Sequence, residues 1–514
     1  MTMIPLANAP TTGVVVLLII ISLIYGVTVQ GRRNARLPPG PPTLPIIGNL
    51  HQLPRDKGYL QFAKWAKEYG QIYSLKIASR TMIVISSRRL VKEIMDKKNS
   101  ISGFRPPAYA VNNLIYKGDF LLLMNPDDAK FRRERKLIHQ FYMDSVCEKR
   151  HLPYIIAESA QLMVDILNDS DRWSDHSTRY TNSLIMSTIY GFRTPSTDTV
   201  HLHRVLDIAH DLSRVIMPGK LPPVDIFPFL NYLPERLFDN WRSKCRNVAK
   251  KSDKLYAEFL DHVIERREKL GSKDTFADKV LEQKGDDAFT RHEVMYLLST
   301  VLDAGTDTTS GAFNTLVQML TQNQHILKDA QEEMDQVVGE NRTPCWEDFG
   351  KLQLVVDNYA LPKGSSIIVN ISGLHHDEKK FPNALEFDPK NYEGKDGLAT
   401  AYSNAANYED RDHYGYGFGR RLCPGIHFAE RSLFITFSKL IWGFDIAPAK
   451  DDQGRPVPIN TDWATGYSGG AILHPDHFQT CIKVRSEKKR EILLRDFEEA
   501  KKLFSTLDAP PREN

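Results

Sequence analysis

The stretch Tyr416-Gly-Phe-Gly-Arg-Arg-Leu-Cys-Pro-Gly425 gathers three glycines, two adjacent arginines and a Cys-Pro-Gly step, with Cys423 at its centre. Gly417 and Gly419 can adopt positive φ without steric cost and let the backbone approach a large flat object. Pro424 and Gly425 turn the chain just ahead of an apolar helical run, Ile426 to Phe434. Cys423 therefore sits by a helix N-terminus, beside Arg420 and Arg421, where a thiolate is electrostatically favoured. A thiolate in such a loop can serve as the axial ligand of haem iron. The competing reading is a buried cysteine in an ordinary turn.

Two further stretches carry chemistry. His292 to about Gln322 has helical periodicity, yet its midpoint reads Ala304-Gly-Thr-Asp-Thr-Thr-Ser-Gly311. Glycines and hydroxyl residues are poor helix material, and such hydroxyls can bond to the backbone instead. A helix strong at both ends and weak in its middle predicts a functional distortion there. A Ser/Thr-rich kink without chemistry is the plainer alternative. The second stretch is Phe131-Arg-Arg-Glu-Arg135, within a basic helix predicted over Ala129–Tyr142. Read alone it is a solvated basic face.

Together these stretches resemble the cytochrome P-450 family. Its haem loop, Phe-x-x-Gly-x-Arg-x-Cys-x-Gly, is matched by Tyr416, Gly419, Arg421, Cys423 and Gly425, with Tyr in place of Phe. Its oxygen-side motif, Ala/Gly-Gly-x-Asp/Glu-Thr, is matched by Ala304, Gly305, Thr306, Asp307 and Thr308. Its Trp-x-x-x-Arg is matched at Arg135, while Phe131 stands where Trp would be. The resemblance implies haem with iron on Cys423, and propionates paired with Arg421 and Arg135. It implies that Gly305 gives dioxygen room against the helix. Thr308 would order a water at the oxygen site, and Asp307 would relay protons from solvent. Relatives that rearrange peroxides commonly lack this threonine, so Thr308 favours oxygen activation over isomerisation.

The rest of the chain must position these groups. The resemblance implies a mainly α fold with a small β lobe, one large haem domain over 51–514, and an N-terminal transmembrane helix. With 41% hydrophobic residues there is material for a large core. Lys+Arg number 67 against 64 Asp+Glu, so nothing indicates a nucleic-acid partner. The five cysteines are dispersed and without a Cys-x-x-Cys pair, which argues against zinc sites and a disulfide framework.

No charged side chain falls between Thr2 and Gln30, and Gly13 to Val29 is nearly all aliphatic. That length reaches the low end of a membrane span, about 17–25 residues. Arg32, Arg33 and Arg36 follow, placing the downstream chain on the cytoplasmic side. Residues 1–36 thus read as anchor and basic flank of a single-pass endoplasmic-reticulum protein whose catalytic domain faces the cytosol. A cleaved signal peptide fits less well, with no basic residue ahead of the apolar run. Residues 37–50 form a hinge around Pro38-Pro-Gly-Pro-Pro42, a semi-rigid spacer. Ile72–Ile77 and Met82–Ile85 read as paired strands. Pro218 to Pro234 is proline-rich and aromatic, a loop with an apolar surface. Thr465 to Gly470 reads as a turn, and Ser486 to Phe504 as a charged, solvated amphipathic helix.

One expected part is missing. The family's Glu-x-x-Arg helix, a buried pair bracing the cysteine loop, has no counterpart between Asp307 and Cys423. The break falls near 352–355, where Leu354 to Gly364 already resembles later sheet material. The third bracing residue, an Arg after Phe-x-Pro-x, is replaced by Asn391. Either the translated sequence lacks an internal segment, or this is a degenerate member that no longer holds haem. The functional expectation is a monooxygenase of the fungal secondary-metabolism type. It would insert an atom of O2 into a small apolar molecule with electrons from an NADPH-dependent flavoprotein reductase. A non-catalytic remnant and a haem-thiolate isomerase or dehydratase are the alternatives.

Overall fold

The structure is a computed structural model; it describes residues 13–19, 21–22, 25, 31–217, 219–349, 366–378, 380–381, 384, 397–411, 413–468 and 473–511. Helix α1 (Gly58–Tyr69) turns Trp65 inward and stops at Gly70, whose φ of 95° a glycine adopts freely. Strands β1 (Ile72–Ile77) and β2 (Arg80–Ile85) pair antiparallel, with Tyr73 opposite Val84. Strand β3 (Ser366–Val369) joins β2 in parallel, giving the order β1-β2-β3. The small β lobe is therefore present.

The body is helical. Helix α2 (Ala129–Phe141) is followed by α3 (Leu152–Asn168), α4 (Trp173–Ile189), α5 (Val200–Ile216) and α6 (Trp241–Leu270). The longest helix, α7 (Arg291–Gln322), runs through the core with Leu297, Leu298, Leu302, Phe313 and Val317 buried. A capping box starts it: the Thr290 hydroxyl accepts from Glu293 N–H, and the Glu293 carboxylate accepts from Thr290 N–H. Helix α8 (Gln324–Val337) follows, and α9 (Ile426–Gly443) begins right after the cysteine loop. Strand β4 (Phe444–Pro448) pairs antiparallel with β7 (Thr480–Val484), and between them β5 (Tyr467–Ser468) pairs with β6 (His474–Pro475). Helix α10 (Glu487–Phe504) closes the fold.

Three expectations need correction. The weak centre of α7 does not interrupt it. Thr308 donates to the Ala304 carbonyl at 2.7 Å and Thr315 to Gly311 at 2.9 Å, so the hydroxyls bond within the helix rather than breaking it. Helix α10 is not simply solvated: Ile492, Leu493 and Ala500 are buried, and Lys489 reaches Asp335 at 2.7 Å. Its stripe of apolar residues suffices to dock one face against α3 and α9. The proline segment is not a free spacer. Ser74 N–H donates to Pro39 O at 2.7 Å, and Arg33 donates to the carbonyls of Gly40 and Pro41, both at 2.6 Å.

Among the described residues no helix is long and apolar enough to cross a membrane. Residues 13–19 and 21–22 of the expected anchor are helical and exposed; most of the remainder lies outside the described residues, as do 352–355 and Asn391. The cysteines, Cys423 included, are all free.

Candidate active site

The cysteine loop folds as its glycines require. Gly417 and Gly419 both have positive φ, 75° and 54°. A Cβ on Gly419 would stand 2.0 Å from the Met95 carbonyl oxygen, so no side chain fits there. The space a Cβ would take at Gly419 is thus filled by protein backbone. Cys423 N–H donates to Tyr416 O at 2.8 Å, closing the loop, and α9 starts three residues later. Burial raises the Cys423 thiol, while the Gly425 N–H hydrogen-bonded to its sulfur and the nearby Arg135 guanidinium oppose that shift. The side chain of Tyr416 lies beside His413, ring centroids 5.1 Å apart.

Each predicted arginine is anchored on main chain. Arg135, on α2, donates to the Leu422 carbonyl at 2.5 Å, which brings its charge next to Cys423. Arg421 donates to the carbonyls of Gly103, Leu121 and Met124. It also lies 4.4 Å from the centre of the buried Phe131 ring, and burial lowers its guanidinium to about 10, with Arg105 and Arg135 nearby. Phe131, which lacks the indole N–H, thus serves as a cation–π floor for the loop.

On α7, Ala304, Asp307 and Thr308 share one side that is exposed although Leu302, Thr306 and Ser310 around them are buried. Gly305 is not on that side. A Cβ there would meet Ile185 of α4 at 2.4 Å, so the glycine serves close helix packing, not room for dioxygen. Helix periodicity could have exposed this, because residue 305 lies about 100° from 304.

Four participants escaped the sequence reading. Buried Arg411 donates to Asp96 at 3.2 Å, to His413 O and to Gly417 O, and Asp96 also accepts from Gly419 N–H at 2.9 Å. Asp303 lies one turn before Asp307 and accepts from Tyr256 at 3.3 Å; burial pushes its carboxyl up to about 7, with repulsion from Asp307 adding to the rise. His474, from β6, approaches Asp307 to 3.1 Å. Only the Asp303–Asp307 pair has a sequence signal, its i,i+4 spacing; the others are joined by tertiary contact alone.

A family model described as Cytochrome P450 matches residues 38–356 and 351–482. The chain belongs to the cytochrome P450 family. A cytochrome P450 monooxygenase of Arthrobotrys oligospora is 38% identical, covering 98% of this chain and 99% of its own length. The cytochrome P450 monooxygenase macC of Penicillium terrestre is 39% identical over 95% of this chain and 97% of its own, and yanC of Aspergillus niger 39% over 91% and 93%. Cytochromes P450 hold haem through a cysteine thiolate. The residues present fit that group: a half-buried thiol accepting a backbone N–H, an arginine facing it, and an open polar side of α7.

Proposed function

We propose that this cytochrome P450 is a membrane-anchored monooxygenase that inserts one oxygen atom from O2 into a small apolar molecule, of the fungal secondary-metabolism type. Haem, when bound, supplies dioxygen activation and one-electron chemistry. Cys423 would hold its iron, with the Gly425 N–H and Arg135 stabilising charge on the sulfur. Arg135 and Arg421 are the cationic partners of the propionates. Thr308 holds a water at the oxygen site, and Asp307 delivers protons to it. The observation that carries this reading is the environment of Cys423, a thiol set at a helix N-terminus between a backbone donor and a guanidinium. Cys423→Ser should abolish the thiolate-type spectrum of the reduced carbon monoxide complex; its persistence would remove Cys423 as ligand.

Electrons come from NADPH through a separate flavoprotein reductase, since the sequence has no flavin or dinucleotide fingerprint. Residues 1–36 anchor the chain in the endoplasmic-reticulum membrane, 37–50 lead into the haem domain, and the domain faces the cytosol. The uncharged run to Gln30 and the arginines after it support this. Exposed Phe229, Tyr232 and Leu237 offer a second apolar contact for the membrane surface. Deleting residues 1–36 should weaken membrane association, and a C-terminal tag protected inside sealed microsomes would overturn the orientation.

A second reading has its own observation. The two stretches matched by the family model meet at 351–356, and the comparison with the Arthrobotrys relative runs over 535 positions, more than the 514 residues here. That relative therefore has residues with no counterpart in this chain. An omitted coding segment near 352–355 would leave such a gap, and so would real loss in a degenerate, non-catalytic member. Transcript sequence across Leu352–Val355 separates the two: an uninterrupted junction in the mature message would favour real loss.

A further inference from the structure

The last β-hairpin lies along α7 rather than standing free of it. Tyr467 Oη donates to Gln318 at 2.8 Å, and the Thr480 and Thr321 hydroxyls are 2.9 Å apart. Between these contacts β6 carries His474 to Gly311, where a Cβ would stand 2.7 Å from the imidazole Cε1. From that seat Nε2 comes within 3.1 Å of the Asp307 carboxylate, an ion-pair distance without hydrogen-bond geometry. Positions 307, 311 and 318 are spaced by four and seven, so they fall on one helical face. His474 is 23% exposed and Asp307 59%, so the imidazole is the better fixed of the two.

We propose that His474 is a positioning residue for proton delivery: seated against Gly311, it holds the Asp307 carboxylate at the oxygen side of α7. This rests on the monooxygenase reading, in which Asp307 is the proton-relaying acid. The physical need is plain. An exposed aspartate on a helix surface samples several rotamers, and an imidazole seated beside it restricts them. Asp303, one turn away and pushed up to about 7, adds a carboxyl on the same side that a mobile Asp307 would otherwise approach.

Two thermodynamic cycles read the seat on the full chain, with or without haem. Gly311→Ala should lower the urea midpoint when His474 is present and raise it in a His474→Ala background, where only the helix preference of alanine remains. Asp307→Asn and His474→Gln should together lower the midpoint by less than their separate effects summed. A loss from Gly311→Ala that persists without the imidazole, or strict additivity of the second pair, overturns the contact. The role is read on loaded enzyme as product formed per NADPH consumed. His474→Gln should reduce it about tenfold at unchanged haem content, below the full range for a general acid, and should cause no further loss when added to Asp307→Asn. Unchanged coupling in His474→Gln overturns the role even if the contact is real. Failure of the chain to give a thiolate spectrum would count against the monooxygenase reading while leaving both cycles decisive.

Discussion

Asp96 and Arg411, 315 residues apart in sequence, form a buried brace for the cysteine loop. Arg411 Nη1 donates to one carboxylate oxygen of Asp96 at 3.2 Å, and the other oxygen accepts the Gly419 N–H at 2.9 Å. The Arg411 ring contact with Tyr414, 4.3 Å to the centroid, covers the guanidinium. The loop is thus tied to the segment after β2 independently of any Glu-x-x-Arg pair.

Asp96→Ala should leave the Arg411 guanidinium buried without its carboxylate. Breaking one side of such a pair costs about 3–5 kcal/mol. Urea denaturation should show a loss of that order, and haem retention should fall with it because Gly419 loses its anchor. Asp96→Asn, which keeps an acceptor for the Gly419 N–H, should retain more haem than alanine does. Equal retention in the two variants would mean that the charge, not the backbone contact, holds the loop.

The helices and the cysteine loop were legible because their signals are local. Periodicity gave α2 and α7 to within a residue or so and the start of α9, and Gly417 and Gly419 announced positive φ. The Asp96–Arg411 brace was not legible, since its members share no local pattern. Gly305 misled for a related reason. A glycine in a functional motif reads as space for a ligand, but the atom that needs the space is Ile185 Cδ1, set by how α4 crosses α7. The Glu-x-x-Arg gap was visible at once, being an absence in the sequence itself.

Gly305→Ala follows from that packing. Forcing a methyl into a filled contact costs about 1–3 kcal/mol, partly offset by the better helix propensity of alanine. The urea midpoint should fall, and Ile185→Ala should turn the loss into a gain, because both clashing atoms are then gone. If instead the substitution left stability alone and altered dioxygen-dependent turnover, Gly305 would face the oxygen side after all.

Glu134 gives a pH prediction. It is buried on α2 beside Arg135, and its Oε2 has no hydrogen-bond partner. Burial pushes its carboxyl up to about 8 from an ordinary 4.5; Lys130 opposes the rise, while Asp119 and Glu293 add to it. Between those values the folded state keeps a proton that the unfolded state has released. Stability attributable to this group therefore falls as pH rises through the window, by about 1.4 kcal/mol per pH unit, and is unaffected below it. Glu134→Gln should match the parent near pH 4.5 and exceed it at pH 8. Parallel urea profiles across that range would mean that the native carboxyl reaches solvent.

Thr308→Ala tests the oxygen chemistry itself. The hydroxyl lies on the exposed side of α7 and its hydrogen bond is to Ala304 O, within its own helix. Removing it should shift stability by no more than about 0.5 kcal/mol, as for other exposed sites, and haem content should stay near that of the parent. Product formation should nevertheless drop about 10²–10⁴-fold, the range for loss of acid–base assistance. Electron consumption should continue and appear as hydrogen peroxide, because the protein still receives electrons but no longer orders the water that carries the proton. An isomerase or dehydratase needs no such delivery and would tolerate the change. Unchanged turnover with no rise in peroxide would therefore count against monooxygenation even with Cys423 established as the ligand.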